Sequence, residues 1–189
     1  MLSEEELDAL FTFERSAFRL EAMDYYAVDT DVEELSKYLD GQPRPSKTDP
    51  EYDNPWFDFV RSSVAQGKRF YRVHVVHSPL SEYLCYECEW GYAYNMKLTG
   101  EEVHILDTAE RPRPQGLPNE DFWLLDDIKV IRMHYDVENR FVGGELLPES
   151  EALKYCRYRD LAVAAAVPFD EYWAAHPQYW RESWLKPGK

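Results

Sequence analysis

The clearest pattern along the chain is the run Arg69–His77, rich in β-branched and aromatic residues and closed by Ser78-Pro79. It predicts a strand. Glu102–Asp107 predicts another short one. From Ile128 the sequence alternates with period two. Ile128, Val130, Arg132 and His134 fall on one side, and Lys129, Ile131, Met133 and Tyr135 on the other. The tetrapeptide Asp136–Asn139 predicts a turn, with Asn139 suited to a left-handed backbone, and Arg140–Leu147 predicts the returning strand. Within it, Gly143-Gly144 points to a bulge or a close backbone contact. Phe122–Leu125 is apolar and reads as a buried strand or turn.

Helical spacing fills much of the rest. Ser3 and Glu6 form a capping box before Leu7, Leu10 and Phe11. The following stretch predicts more helix, then extended chain through Arg19–Met23, where Phe18 and Leu20 alternate with Arg19 and Glu21. Asp31 reads as the cap of a helix carrying Val32, Leu35 and Leu39 and ended by Gly41. The proline-rich stretch Gln42–Pro55 reads as a surface loop. Asn54 as N-cap and Pro55 at the first position open a helix with Trp56, Phe59, Val60 and Val64 on its apolar side. Leu84, Cys88, Tyr92 and Met96 recur every fourth residue and predict a helix to Thr99-Gly100, with Gly91 as a weak point. Ser150 can cap a helix to Val167, with Ala152, Tyr155, Cys156, Arg159, Ala162, Val163 and Ala166 along one side. Pro168 breaks it, a shorter helix follows, and a Trp-rich tail closes the chain.

These elements predict an α+β fold: an antiparallel sheet of about four or five strands, with helices packed on one face and at one end. The Ser150–Val167 helix is expected to cover the sheet. The chain reads as a single domain over 1–189. Residues 1–66 are mainly helical, 67–147 hold the sheet, and 148–189 hold the C-terminal helices and tail.

Composition narrows the functional classes. With 44% hydrophobic and 15% aromatic residues the chain is globular. Lys and Arg total 21 against 36 Asp and Glu, a net charge of −15. That charge repels nucleic acid and anionic membrane, so no direct nucleic-acid binding and no membrane association is expected. It suits a protein partner with a basic surface. No apolar run approaches a membrane span and the N-terminus is acidic, which together predict a cytoplasmic protein.

Candidate chemistry is sparse. Asp126-Asp127 are read as loop acids at a strand start rather than a catalytic pair. Cys85 and Cys88 make one C-x-x-C with no second pair, so they are read as small buried residues; no metal and no cofactor are expected. One constellation remains. Arg72 and His74 share one face of a strand, and Arg132 and His134 share one face of another. If these faces coincide, four potential cations converge and negative groups must gather there. Glu21, Glu87 and Glu89 are the protein's own candidates, and a phosphate or carboxylate ligand is the other. Arg72, His74, Arg132, His134, Arg19, Glu21 and Glu87 are therefore the candidate binding residues.

Five stretches, Ser16–Glu21, Gly67–Val76, Tyr94–Val103, Gly116–Asp127 and Ile131–Asp136, resemble in the same order a family of uncharacterised actinobacterial proteins, domain of unknown function 6879. Its members tend to be encoded near helix-turn-helix regulators, so the resemblance implies a regulatory or partner role. No motif here fixes a reaction. The leading expectation is a non-enzymatic regulatory or protein-interaction module, a partner of a helix-turn-helix regulator. A second is a sensor or enzyme for a small anion, using the Arg/His cluster. A third is an acidic DNA mimic.

Overall fold

The computed structural model describes residues 2–44 and 55–184. Its centre is a seven-stranded mixed sheet built from β1 (Ser16–Glu21), β2 (Arg69–Val76), β3 (Glu102–Asp107), β4 (Phe122–Leu125), β5 (Lys129–Tyr135), β6 (Phe141–Leu146) and β7 (Val167–Pro168). The strand order is β6-β5-β4-β1-β2-β3-β7. The antiparallel sheet of four or five strands is thus corrected. β1–β2 and β2–β3 are parallel, and the other pairs are antiparallel. The physical reason is in the connections. β1 reaches β2 by way of α2 (Asp29–Leu39) and α3 (Pro55–Ala65), and β2 reaches β3 by way of α4 (Glu82–Tyr86) and α5 (Ala93–Thr99). Crossovers of that length permit parallel neighbours, whereas the short turns after β4 and β5 enforce antiparallel ones.

Helices cover both faces rather than one. On one face, α3 packs Val60 on Phe70, Trp123 and Ile131, while α4 and the turns after it pack on Val76, Val103 and Ile105. On the other, α6 (Ala152–Ala165) lays Ala152, Tyr155 and Ala162 on Phe18, Leu20, Tyr71, Val73 and Val130. This is the helix expected to cover the sheet.

Local chemistry explains several element ends. The Ser3–Glu6 capping box forms at α1 (Glu4–Leu10). The helix expected after it gives way to an extended chain and β1. α2 starts at Asp29 without a side-chain cap; Asp31 instead accepts a hydrogen bond from the Tyr83 hydroxyl at 3.1 Å. α6 follows a short 3-10 turn over Glu149–Glu151, and Ser150 does not cap it. Asn54 and most of the proline-rich loop lie outside the described residues, as do residues 185–189 of the tail. The described part of the tail docks: Trp180 donates to the Trp173 carbonyl at 2.9 Å, and the Arg181 amide to Glu89 at 2.8 Å.

Asp126 and Asp127 take φ of 54° and 65° in the turn between β4 and β5, a left-handed backbone that Asp tolerates better than most residues. Ile128 N–H closes the turn on the Leu125 carbonyl at 3.1 Å. The Asp126 carboxylate then accepts from the amides of Glu14, Arg15 and Ser16 at 2.7, 2.7 and 2.9 Å. Burial raises its pKa, but these three donors outweigh that and hold it below the usual range. It is the clasp that fixes the start of β1. Gly144 marks a close contact: a Cβ there would lie 2.6 Å from a Leu7 methyl.

Candidate functional site

β1 sits where the strand order divides, with β2, β3 and β7 on one side and β4, β5 and β6 on the other. Register places Arg19 beside Arg72 and Glu21 beside His74. Alternation sends Phe18, Leu20 and Val73 to the α6 face and these four polar residues to the opposite one. Four of the candidate binding residues, Arg19, Glu21, Arg72 and His74, therefore meet beneath the α4–α5 segment that carries Glu87.

Arg132 and His134 do not join them. They share a face with Val130, which packs under α6. There Arg132 pairs with Glu145 at 2.8 Å and Glu120 at 3.4 Å, and His134 lies 3.0 Å from Glu145. The expected convergence of two Arg-x-His pairs is thereby corrected. Period two fixes which residues of a strand share a face, but not which face of the sheet that is. Glu89 is also elsewhere, beside Tyr38 and Arg181.

The assembled cluster is dense. Arg72 binds Glu101 through Nε at 2.6 Å and both oxygens of Glu21 at 3.1 and 3.0 Å. Arg19 Nε lies 2.8 Å from Glu21 Oε1, but misaligned for a hydrogen bond, so the contact is an ion pair only. Asp121 accepts from Tyr26 at 2.6 Å, from Tyr135 at 3.3 Å and from the Ala22 amide at 2.8 Å, with Arg19 at 3.7 Å. Four carboxyls, Glu21, Glu87, Glu101 and Asp121, thus face two guanidiniums. Sequence reasoning missed Glu101, Asp121, Tyr26, Tyr92 and Tyr135, whose only signal was an acid at the beginning of a predicted strand or an aromatic within a run of aromatics.

Between α4 and α5 the helix widens to a π-turn over Glu87–Tyr92. In an α-helix, side chains five apart diverge by roughly 140°. The i→i+5 bonding of a π-turn brings them together, and the Tyr92 hydroxyl reaches Glu87 at 3.1 Å. The same hydroxyl lies 3.1 Å from Glu21 and 2.8 Å from His74 Nδ1. The other ring nitrogen, Nε2, lies 2.8 Å from the Met23 carbonyl, so Nε2 carries a proton and donates.

The carboxyls are driven apart in acidity. Burial raises Glu21, but Arg72 and Arg19 overcome it and hold its pKa at about 2. Burial raises Glu87 to about 7, with His74 only partly offsetting and Glu21 adding to the rise. Burial also raises Glu101 and Asp121 against the pull of Arg72 and Arg19 respectively. Glu87 Oε2 is enclosed and accepts no hydrogen bond.

This cluster floors a cleft of about 740 Å³. The acids lining it are Asp8, Glu21, Asp31, Glu87 and Glu101; the cations among the described residues are Arg19 and Arg72. Trp56, Trp123, Tyr26, Tyr83 and Tyr135 contribute aromatic walls. Arg19 also lies over the Trp123 ring, 5.1 Å from its centroid.

Metal chemistry gets little from these residues. Among the described residues, Glu21, His74 and Glu87 have ligand atoms within 4.8 Å of one another, but the Tyr92 hydroxyl already lies within 3.1 Å of an atom of each. Cys85 and Cys88 are buried, and burial raises both thiols, Cys85 to about 11. Among the described residues, no helix is long and apolar enough to cross a membrane.

The family model for Domain of unknown function (DUF6879) matches residues 5–174, and the chain belongs to that family. No curated protein and no solved structure matches the chain.

Proposed function

We propose that this member of DUF6879 is a non-enzymatic interaction module whose cleft receives a basic group of a partner protein, a helix-turn-helix regulator being the expected kind. One observation carries the reading. The cleft floor holds more carboxyls than guanidiniums, and both guanidiniums are already paired with those carboxyls. An anion entering would meet acids whose counter-charges are spent. A cation would restore balance, and the aromatic walls suit it, since cations are drawn to ring faces. The excess of acids over the whole chain would steer a basic surface towards it.

The small-anion reading predicts the opposite preference, so one comparison separates the two. Calorimetry with agmatine and with a pentapeptide bearing one Lys and one Arg should show saturable binding, weakened by Trp56→Ala in the cleft wall. Inorganic phosphate should leave the melting temperature unchanged. Stabilisation by phosphate together with no binding of either cation would overturn the proposal in favour of the anion site.

A further inference from the structure

The Tyr92 hydroxyl carries one hydrogen and meets three acceptor-rich atoms: His74 Nδ1, Glu21 Oε2 and Glu87 Oε1. His74 Nε2 donates to the Met23 carbonyl, and in the neutral ring Nδ1 is then an acceptor. If both carboxyls were ionised, one hydrogen would serve three lone pairs, and two of the contacts would be repulsive. The hub is enclosed, with His74 fully buried and Tyr92 nearly so, while Glu87, 16% exposed, meets the cleft. Such an arrangement needs one more positive unit at its centre. Glu21 is not where it goes, because two guanidiniums already hold it ionised. His74 Nδ1 and Glu87 are the two remaining places, and Glu87 Oε2, which accepts no hydrogen bond and lies 3.8 Å from His74 Nδ1, offers the proton an oxygen of its own.

We infer that Glu87 keeps one proton while the cleft is empty and releases it to solvent when a cationic head group, an ammonium or guanidinium, docks against its carboxylate. This deepens the cation-binding reading above and rests on it. The proton and the docked cation compete for the same oxygens; one leaves as the other arrives, and charge in the cluster is conserved. The groups that face Glu87 are consistent with the exchange. β1 offers Glu21, β2 offers Arg72 and His74, α4 offers Tyr83, and the π-turn itself offers Cys88 and Tyr92. Glu21 disfavours a second negative charge; Arg72, and His74 when its ring is protonated, only partly relieve it. Burial and this balance place the exchange near neutral pH, with the pKa at about 7. Binding of a cation should therefore tighten as pH rises.

Two independent readouts test this on the full chain. Infrared difference spectra of wild type minus Glu87→Gln should show a protonated carboxyl band at about pH 6 that fades by about pH 8. Agmatine affinity should rise roughly tenfold over that interval, with protons released into buffer at the lower pH. The Glu87→Gln affinity should be flat with pH. Tyr92→Phe removes a hydrogen bond that stabilises the ionised carboxyl, so its affinity midpoint should move to higher pH; it serves if the Gln variant fails to fold. Absence of the band shows Glu87 ionised throughout and overturns the inference, whatever agmatine does. A titrating band with pH-independent agmatine binding also overturns it and leaves the cation-binding reading standing. A titrating band with no agmatine binding at either pH refutes the docking step and the reading beneath it.

Discussion

Replacing Arg72 by Met asks how much of the fold depends on charge compensation in the cluster. The guanidinium is 13% exposed and touches Glu21 and Glu101, each 5% exposed. Met keeps much of the length and apolar stem but leaves two buried carboxylates short of a partner. Removing one member of a buried pair typically costs about 3–5 kcal/mol, mostly the penalty of the stranded charge. For a chain of this size, 1 kcal/mol shifts the melting temperature by roughly 2–4 °C, so a fall on the order of 10 °C is expected. Urea unfolding followed by tryptophan fluorescence at about pH 8 measures it. Adding Glu101→Gln should recover part of the loss, because one stranded charge is gone. The pH dependence has a definite sign. In wild type, the lowered pKa of Glu21 gives stability that is present above its ordinary value of 4.5 and lost as pH falls towards about 2. Without Arg72 the burial of both acids is less opposed, so the variant's deficit is largest at high pH and shrinks as pH falls through their raised values. A loss below about 1 kcal/mol, the level of an exposed pair, would refute the reasoning.

Glu87→Gln should change stability in the other direction. The unfolded chain loses this proton near 4.5 and the fold at about 7, so wild type loses stability across that interval; the variant should gain up to about 3 kcal/mol at about pH 8 and nothing at about pH 4, by urea midpoints. Asp126→Ala removes the acceptor for three backbone amides and should cost about 2–3 kcal/mol in the same assay. His176 lies with Nδ1 at 2.7 Å from the Tyr172 carbonyl and Nε2 at 2.7 Å from Glu110, with Tyr179 stacked on it and Asp107 near. Burial lowers its pKa, but Tyr172 and Glu110 overcome this and raise it above 6.5. Its contribution should be full below 6.5 and lost as pH rises through the folded value, and His176→Gln should abolish that slope in thermal melts.

What the chain reveals by itself is local. Arg69–Val76 and Glu102–Asp107 are legible as strands because β-branched residues and flanking turns sit close together. The β5–β6 hairpin is legible because its turn chemistry lies between its strands. β1 is only partly legible: Phe18 and Leu20 alternate with Arg19 and Glu21 as in a strand, but the preceding residues also fit helical spacing. Its parallel pairing with β2 joins Glu21 to His74 across more than fifty residues, and no local signal carries that register. Arg72, His74, Glu21, Glu87 and Arg19 were legible as a group by their chemistry; the exclusion of Arg132 and His134 was not, because it depends on which side of the sheet each strand turns. Glu101 and Asp121 precede β3 and β4 and look like ordinary loop acids until the sheet folds them inward.

Below about pH 7, two carboxyls joined through one tyrosine hydroxyl should hold opposite charge states, with Glu87 neutral and Glu21 ionised. Carbon-13 spectra of glutamate-labelled protein, titrated over pH and assigned with Glu87→Gln, measure this directly. The expected result is a Glu87 carboxyl signal that moves at about pH 7 and a Glu21 carboxyl that stays ionised until about pH 2. Both signals moving together near pH 4.5 would contradict it.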